Sequence, residues 1–139
     1  MLFECCDILV QTTSKTDILD VTPLVTEVIV KKKVDQGTVN LFVPGSTGAL
    51  TTIEFETGAI NDLRTAIERI APEDLVYEHN KRWGDGNGYS HVRAALIGPS
   101  LSIPIIGQKM ALGTWQQIVL LDFDNRPRER RVLVQVCGE

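Results

Sequence analysis

The chain carries two histidines, His79 and His91, and they flank the run Gly-Asp-Gly-Asn-Gly at positions 84–88. Imidazoles suit divalent metals and titrate near neutral pH. With Asp85 and Asn87 between them, the pair can bind a metal or shuttle protons. The candidate metal set is His79, His91 and Asp85, and the candidate ions are Mg and Zn. Lys81 and Arg82 add positive charge beside His79. A helix starting near Asn87 would aim its N-terminus at the same loop, which favours an anion. The alternative is a pair of structural histidines.

Three more groups of residues have usable chemistry. Ser46 and Thr47 sit in the turn Pro44-Gly45-Ser46-Thr47-Gly48, where hydroxyls and free backbone N–H groups can hold a phosphate. Glu54 lies beyond that turn and offers a metal ligand or a general base. Thr114, Trp115 and Gln116 pair an indole face with an amide able to read the edge of a heterocycle. Arg126, Arg128 and Arg130 recur with a period of two, which would align them on a strand face as an anion clamp. The competing readings are a solvated hairpin for the Glu54 turn, a core Trp for position 115, and a solvated hairpin end for the arginines. No P-loop, dinucleotide-binding fingerprint, zinc-protease helix or serine-hydrolase elbow is present.

The elements that must position these groups follow from periodicity. Strands are expected over 3–13, 38–43, 50–56, 101–105, 110–112, 115–123 and 130–137. A helix should start at Thr22-Pro23, with Thr22 as cap and Gly37 as its stop. Ile60, Leu63, Ile67 and Ile70 mark a second helix that ends at Pro72. A third, short helix should follow the glycine loop, with Tyr89, Val92, Ala95 and Leu96 as its apolar stripe and Gly98-Pro99 as its stop. The chain should close in a hairpin around Asp124-Asn125. Ile118-Val119-Leu120-Leu121 is apolar on both faces, as in a strand buried between layers or at a subunit interface.

Length and composition limit the options. The 139 residues suffice for one domain, 1–139, without metals or disulfides to support its core. With 43% hydrophobic and 23% charged residues, it is a folded rather than a disordered chain. The net charge of −4 gives no basic footprint for nucleic acid. No apolar run exceeds four residues, so neither a membrane-spanning helix nor a secretory signal is expected. Cys5, Cys6 and Cys137 are odd in number and lack CxxC spacing, which suits a reducing cytoplasmic location. The expected fold class is α+β: largely antiparallel sheets packed as a sandwich, with two to three helices.

Taken in order, several blocks resemble the small YjbQ-type proteins, an uncharacterised family also named secondary thiamine-phosphate synthase enzymes. They are Ser46-Thr47-Gly48-Ala49 running to Glu54, His79 with Asn87 and His91, Leu96-Ile97-Gly98-Pro99-Ser100, Gly113-Thr114-Trp115-Gln116, and Arg128, Arg130 and Gly138. The resemblance implies packed sheets, a homotrimer and sites near subunit boundaries. It also implies thiamine phosphate synthase-like transfer, joining a hydroxymethylpyrimidine diphosphate to a thiazole phosphate. Glu54, His79, Asn87 and His91 are then the catalytic candidates. Ser46, Thr47, Thr114, Trp115, Gln116, Arg128 and Arg130 would bind a small phosphorylated heterocycle. The family commonly has a His just before the Ser-Thr pair, where this chain has Gly45, and Asn or Gln before the Glu, where it has Ile53. A metal-dependent hydrolase and a non-catalytic ligand-binding trimer are the alternatives. All of them require His79, His91, Glu54 and Gln116 to meet at one cavity.

Overall fold

The computed structural model describes residues 1–139. Eight strands and four helices follow one another as β1 (Leu2–Gln11), β2 (Asp17–Asp20), α1 (Thr22–Lys32), β3 (Gln36–Phe42), β4 (Gly48–Ile53), α2 (Thr57–Ile70), α3 (Glu78–Trp83), α4 (Gly88–Ile97), β5 (Ser100–Ile106), β6 (Lys109–Met110), β7 (Gln117–Asp122) and β8 (Glu129–Gly138). The strands form two antiparallel sheets, a five-stranded one ordered β1-β8-β3-β5-β6 and a three-stranded one ordered β2-β7-β4. This is the expected α+β class. The sequence patterns miss β2 and α3, both of them too short to establish a period.

The apolar strand Ile118–Leu121 explains the layering. It forms the middle of the three-stranded sheet, and all four side chains are fully buried within one chain. Ile118 and Leu120 face a core shared with Val132, Val134 and Val136 of β8, Val39 and Leu41 of β3, and Val25 and Ile29 of α1. Val119 and Leu121 face a second core containing Ile60 and Ile67 of α2 and Ala94 of α4. Fully burying an aliphatic side chain of this size contributes about 1.5–3 kcal/mol, so this strand is the hydrophobic spine of the fold. Of the two options for a strand apolar on both faces, burial between layers is the one realised.

Three local expectations need correction. The last two strands do not form a hairpin: β7 belongs to the small sheet and β8 to the large one, so residues 123–128 carry the chain between layers. Thr22 does not cap α1, whose N-cap is Val21. Its hydroxyl instead accepts the Ile118 N–H at 2.7 Å and fastens the helix to β7. The buried side of α4 is Tyr89, Ser90, Arg93 and Ala94, leaving Val92 and Leu96 exposed. The guanidinium of Arg93 satisfies the Ala71 carbonyl at 2.9 Å, pairs with Glu68 and lies 4.9 Å from the Tyr89 ring centre. A buried cation on the helix defeats a stripe drawn from apolar residues alone.

Helix α1 ends at Lys33, in the left-handed region at φ 55°, and Gly37 lies inside β3. Gly37 is required there for another reason. A Cβ at this position would stand 2.0 Å from the Cys137 carbonyl oxygen of β8. Forcing β3 and β8 apart is an overpacking change in the middle of the large sheet, which costs about 1–3 kcal/mol or more. Gly37→Ala is therefore expected to lower stability by at least that amount in chemical denaturation, and an unchanged midpoint would contradict this packing.

Candidate functional site

Residues that cross from β7 to β8 bring two carboxylates and two guanidiniums into a small buried space. Asp122 receives both the Nε and Nη2 of Arg130 at 2.9 Å, a two-pronged ion pair. The Thr12 hydroxyl donates to the same carboxylate at 2.6 Å. Asp124 receives Arg128 Nε at 2.9 Å and Nη2 at 2.6 Å. Thr47 joins the two pairs: it accepts Arg130 Nη2 at 2.6 Å and donates to Asp124 at 3.3 Å. Burial alone would raise the pKa of Asp124. Hydrogen bonds from Arg128, Asn87 and the Asn125 N–H outweigh that effect and hold it at about 2.

This network fixes one end of α4. Asn87 is the N-cap residue, only 8% exposed, and its Nδ2 donates to Asp124 at 3.2 Å. Ser90 Oγ donates back to the Asn87 carbonyl at 2.6 Å. The Gly88 N–H donates to Asn80 Oδ1 of α3 at 2.8 Å, and a Cβ on Gly88 would lie 2.6 Å from the Tyr77 Cβ. The two short helices therefore meet across a glycine.

That close approach brings the histidines together. His79 of α3 and His91 of α4 lie with ring centres 4.3 Å apart and planes tilted by 40°. Burial and then the neighbouring His79 push the His91 pKa below its ordinary value, while Asp124 and Asp85 oppose the shift more weakly. His91 is thus a neutral imidazole near pH 7. His79 Nδ1 lies 3.5 Å from Asp85 Oδ1, within range for a charge contact but off line for a hydrogen bond. Two buried polar atoms at this end have no partner, His79 Nδ1 and Asn87 Oδ1. Buried polar groups are almost always satisfied, so these two mark a place where a ligand or water can bond.

His79, His91 and Asp85 do not make a trio placed to hold a metal ion, and no other three His, Cys, Asp or Glu side chains do so. All three cysteines are free thiols. No helix is long and apolar enough to cross a membrane.

The other candidates lie elsewhere. Gly48 pairs with Asp122 at one end of the β4–β7 ladder and Ile53 with Gln117 at the other. Five residue steps separate the ends, about 16 Å of strand. Glu54, Thr114 and Trp115 are at the far end, lining an open cleft of about 570 Å³ with Asp20 and Glu56. Trp115 is 72% exposed. The single cavity expected from the sequence is therefore two sites in one chain. Gln116 is occupied locally, since its Oε1 accepts the Gly113 N–H at 3.0 Å and its Nε2 donates to Thr52 at 3.0 Å. Ser46 is exposed beside the network, whereas Thr47 and Arg130 are committed inside it. Arg128 remains half-buried at its edge.

Asp122 and Asp124 were not candidates in the sequence, although a signal for them exists. Asp-Phe-Asp at 122–124 faces Arg-Glu-Arg at 128–130 with the same period of two, so matched charges fall on matched faces. Thr12 carried no such signal.

The family model described as "UPF0047 protein YjbQ-like" matches residues 7–139. The chain belongs to the YjbQ/UPF0047 family. A UPF0047 protein from Methanothermobacter thermautotrophicus is 36% identical over 129 residues, covering 93% of this chain and 88% of that one. A hypothetical protein from Aeropyrum pernix K1, solved by crystallography, is 31% identical with a TM-score of 0.91, covering 98% of this chain and 99% of that one. A YbjQ-like protein of unknown function from Sulfolobus solfataricus has a TM-score of 0.89 at 26% identity, covering 99% of this chain and all of that one. The two solved relatives share this fold, and none of the three names states an activity.

Two predictions follow from the geometry of this YjbQ-type site. Arg130→Ala leaves the Asp122 carboxylate buried without its guanidinium, and breaking such a pair costs about 3–5 kcal/mol. Denaturant unfolding should show that loss, and a change under 1 kcal/mol would mean the pair behaves like a surface one. The second concerns pH. An unfolded histidine titrates near 6.5, and folded His91 titrates lower. The unfolded chain therefore takes up the proton first, so stability is full above about pH 6.5 and falls as pH drops through the folded value. His91→Gln should flatten the stability profile in that acid window, and an unaltered profile would show that His91 is not its source.

Proposed function

We propose that the His79–His91 end binds the phosphate part of a phosphorylated heterocycle, and that the protein is a thiamine phosphate synthase-like transferase acting as a homotrimer. The observation that supports the ligand reading is the imidazole pair, set over a satisfied buried carboxylate with two unbonded polar atoms beside it. A neutral imidazole such as that of His91 has one N–H to donate and one lone pair to accept with. Lys81 and Arg82 on α3 and Arg126 on the crossing segment add cationic charge on adjoining elements.

The reaction suits groups of this kind. The thiazole nitrogen attacks the methylene carbon of hydroxymethylpyrimidine diphosphate, the carbon–oxygen bond breaks, and diphosphate leaves with the bonding pair. The nucleophile is a neutral nitrogen, so no strong base is needed. The barrier is lowered by donors and cations placed where negative charge develops on the leaving oxygen. His79, His91, Lys81, Arg82 and the free donor of Arg128 fill that role. Trp83, exposed one turn beyond His79, offers a flat face for the pyrimidine at the same end. Trp115 and Glu54 stand at the other end of the ladder, and Tyr89 is buried under Arg93. The donor set does not fit a resident three-ligand metal, so no step is assigned to one.

Incubating the protein with both precursors and following thiamine phosphate tests this reading. Product above an uncatalysed blank is expected, and its absence overturns the transferase assignment. His91→Ala removes a hydrogen bond to a charged group, a loss of about 1.5–3 kcal/mol, and should weaken diphosphate binding at least tenfold with the fold retained. A chelator should leave that binding intact. Unfolding of His91→Ala would make His91 a core residue instead.

A further inference from the structure

The turn between β3 and β4 carries two glycines, and Arg130 of β8 lies against both. The guanidinium packs on Gly48, where an added Cβ would stand 3.4 Å from its central carbon. Its Nη1 reaches Gly45, where an added Cβ would stand 3.0 Å from that nitrogen and within 4 Å of nothing else. Gly45 holds φ at 125°, a conformation that residues with side chains rarely adopt. The missing side chain therefore leaves a notch with a guanidinium nitrogen as its floor.

Arg130 is only 7% exposed, so its N–H donors should all have partners. Three of the five do. Nε and Nη2 bond the two oxygens of Asp122, and Nη2 also bonds Thr47. Nη1 bonds nothing, yet it is not enclosed, so a ligand can reach it. The backbone of the turn shows the same shortage of acceptors. The N–H groups of Gly45, Ser46 and Thr47 donate to no carbonyl and to no side chain, although Thr47 is buried. Ser46 is exposed and adds a hydroxyl. Successive unbonded N–H groups beside a guanidinium make a cradle for an anion. The number of donors selects a phosphate monoester. Its three terminal oxygens can accept from guanidinium, hydroxyl and backbone together, whereas a carboxylate presents two.

We infer that the notch at Gly45 is a second anion site, separate from the histidine pair, and that it holds the phosphate monoester of the acceptor substrate. The choice of substrate rests on the proposed transferase reading. That reaction joins two phosphorylated pieces whose phosphates have different fates. The diphosphate departs and needs donors that stabilise its growing charge. The phosphate of the thiazole takes no part in bond making and needs a fixed holder. Arg130 suits the second task, because Asp122 fixes its guanidinium through two hydrogen bonds. Thr47 links Arg130 to Asp124, and Asp124 holds the Asn87 cap of α4. One run of hydrogen bonds thus joins the notch to the helix that carries His91.

Calorimetric titration with thiazole phosphate tests this, with inorganic diphosphate titrated into separate portions of the same protein. The wild type should bind thiazole phosphate, inorganic phosphate should compete, and the unphosphorylated thiazole alcohol should not bind. Gly45→Ala fills the notch and should weaken thiazole phosphate binding at least about tenfold, the loss of one hydrogen bond to a charged group. Its diphosphate affinity should not change. Ser46→Asp puts a carboxylate in the exposed turn and should act in the same way if far-ultraviolet circular dichroism shows Gly45→Ala unfolded. Thiazole phosphate binding that survives both variants, or that the alcohol matches, overturns the notch. Loss of diphosphate binding together with thiazole phosphate binding in a folded variant means one shared site and overturns it too. A wild type that binds diphosphate but no thiazole phosphate at about 10 mM, ten times the about 1 mM Kd of a weak ligand, overturns the notch and leaves the histidine site standing. A wild type that binds neither overturns both.

Discussion

The pairing of Asp122 with Arg130 and of Asp124 with Arg128 is the constraint on which the rest of the candidate site depends. Two carboxylates buried at the end of an apolar strand are costly unless their charges are matched and their lone pairs filled. The chain meets that requirement by changing sheets between β7 and β8, so that arginines four and eight residues later come back over the acids. Thr12 and Thr47 then fill the remaining positions from β1's end and from the turn before β4. One polar cluster therefore ties together the large sheet, the small sheet and, through Asn87, the start of α4.

That tie has a consequence for the imidazoles. His91 sits one turn into α4, and its place is set by Asn87 at the cap and by Gly88 against Tyr77. His79 is the second residue of α3, whose Asn80 receives the Gly88 N–H. A six-residue helix such as α3 has little stability of its own. It is positioned by what it touches. The histidine pair is thus built from short elements held by a rigid buried network, and its geometry follows from the acids beneath it.

Much of the layering was legible in the sequence, because long strands and helices repeat their apolar residues often enough to show a period. Val132, Val134 and Val136 gave an inward face, and Ile60, Ile67 and Pro72 gave a helix with an end. Legibility failed where position depends on tertiary partners. The Asp124-Asn125 turn has the composition of a hairpin, yet the chain crosses between sheets there, since β8 finds β1 and β3 and not β7. The apolar stripe of Tyr89, Val92, Ala95 and Leu96 left out Arg93, which is buried because Glu68 and the Ala71 carbonyl neutralise and bond it. At the site, the link between His79 and His91 was visible from their flanking of one loop. The separation of Glu54 and Trp115 from them was not, since ladder length shows only once β4 is paired with β7. Family blocks in the right order had suggested one cavity, and strand geometry divides them between two ends.

The claim at the centre of this account is that the imidazole pair is a ligand site held by the acid–arginine network. Because the chain has two histidines, their ring protons can be followed individually by NMR during a titration with inorganic diphosphate. The account predicts that both sets of resonances move together and saturate, and that Asp124→Asn, with its fold intact, weakens the response. Resonances that stay fixed at every diphosphate concentration would contradict it.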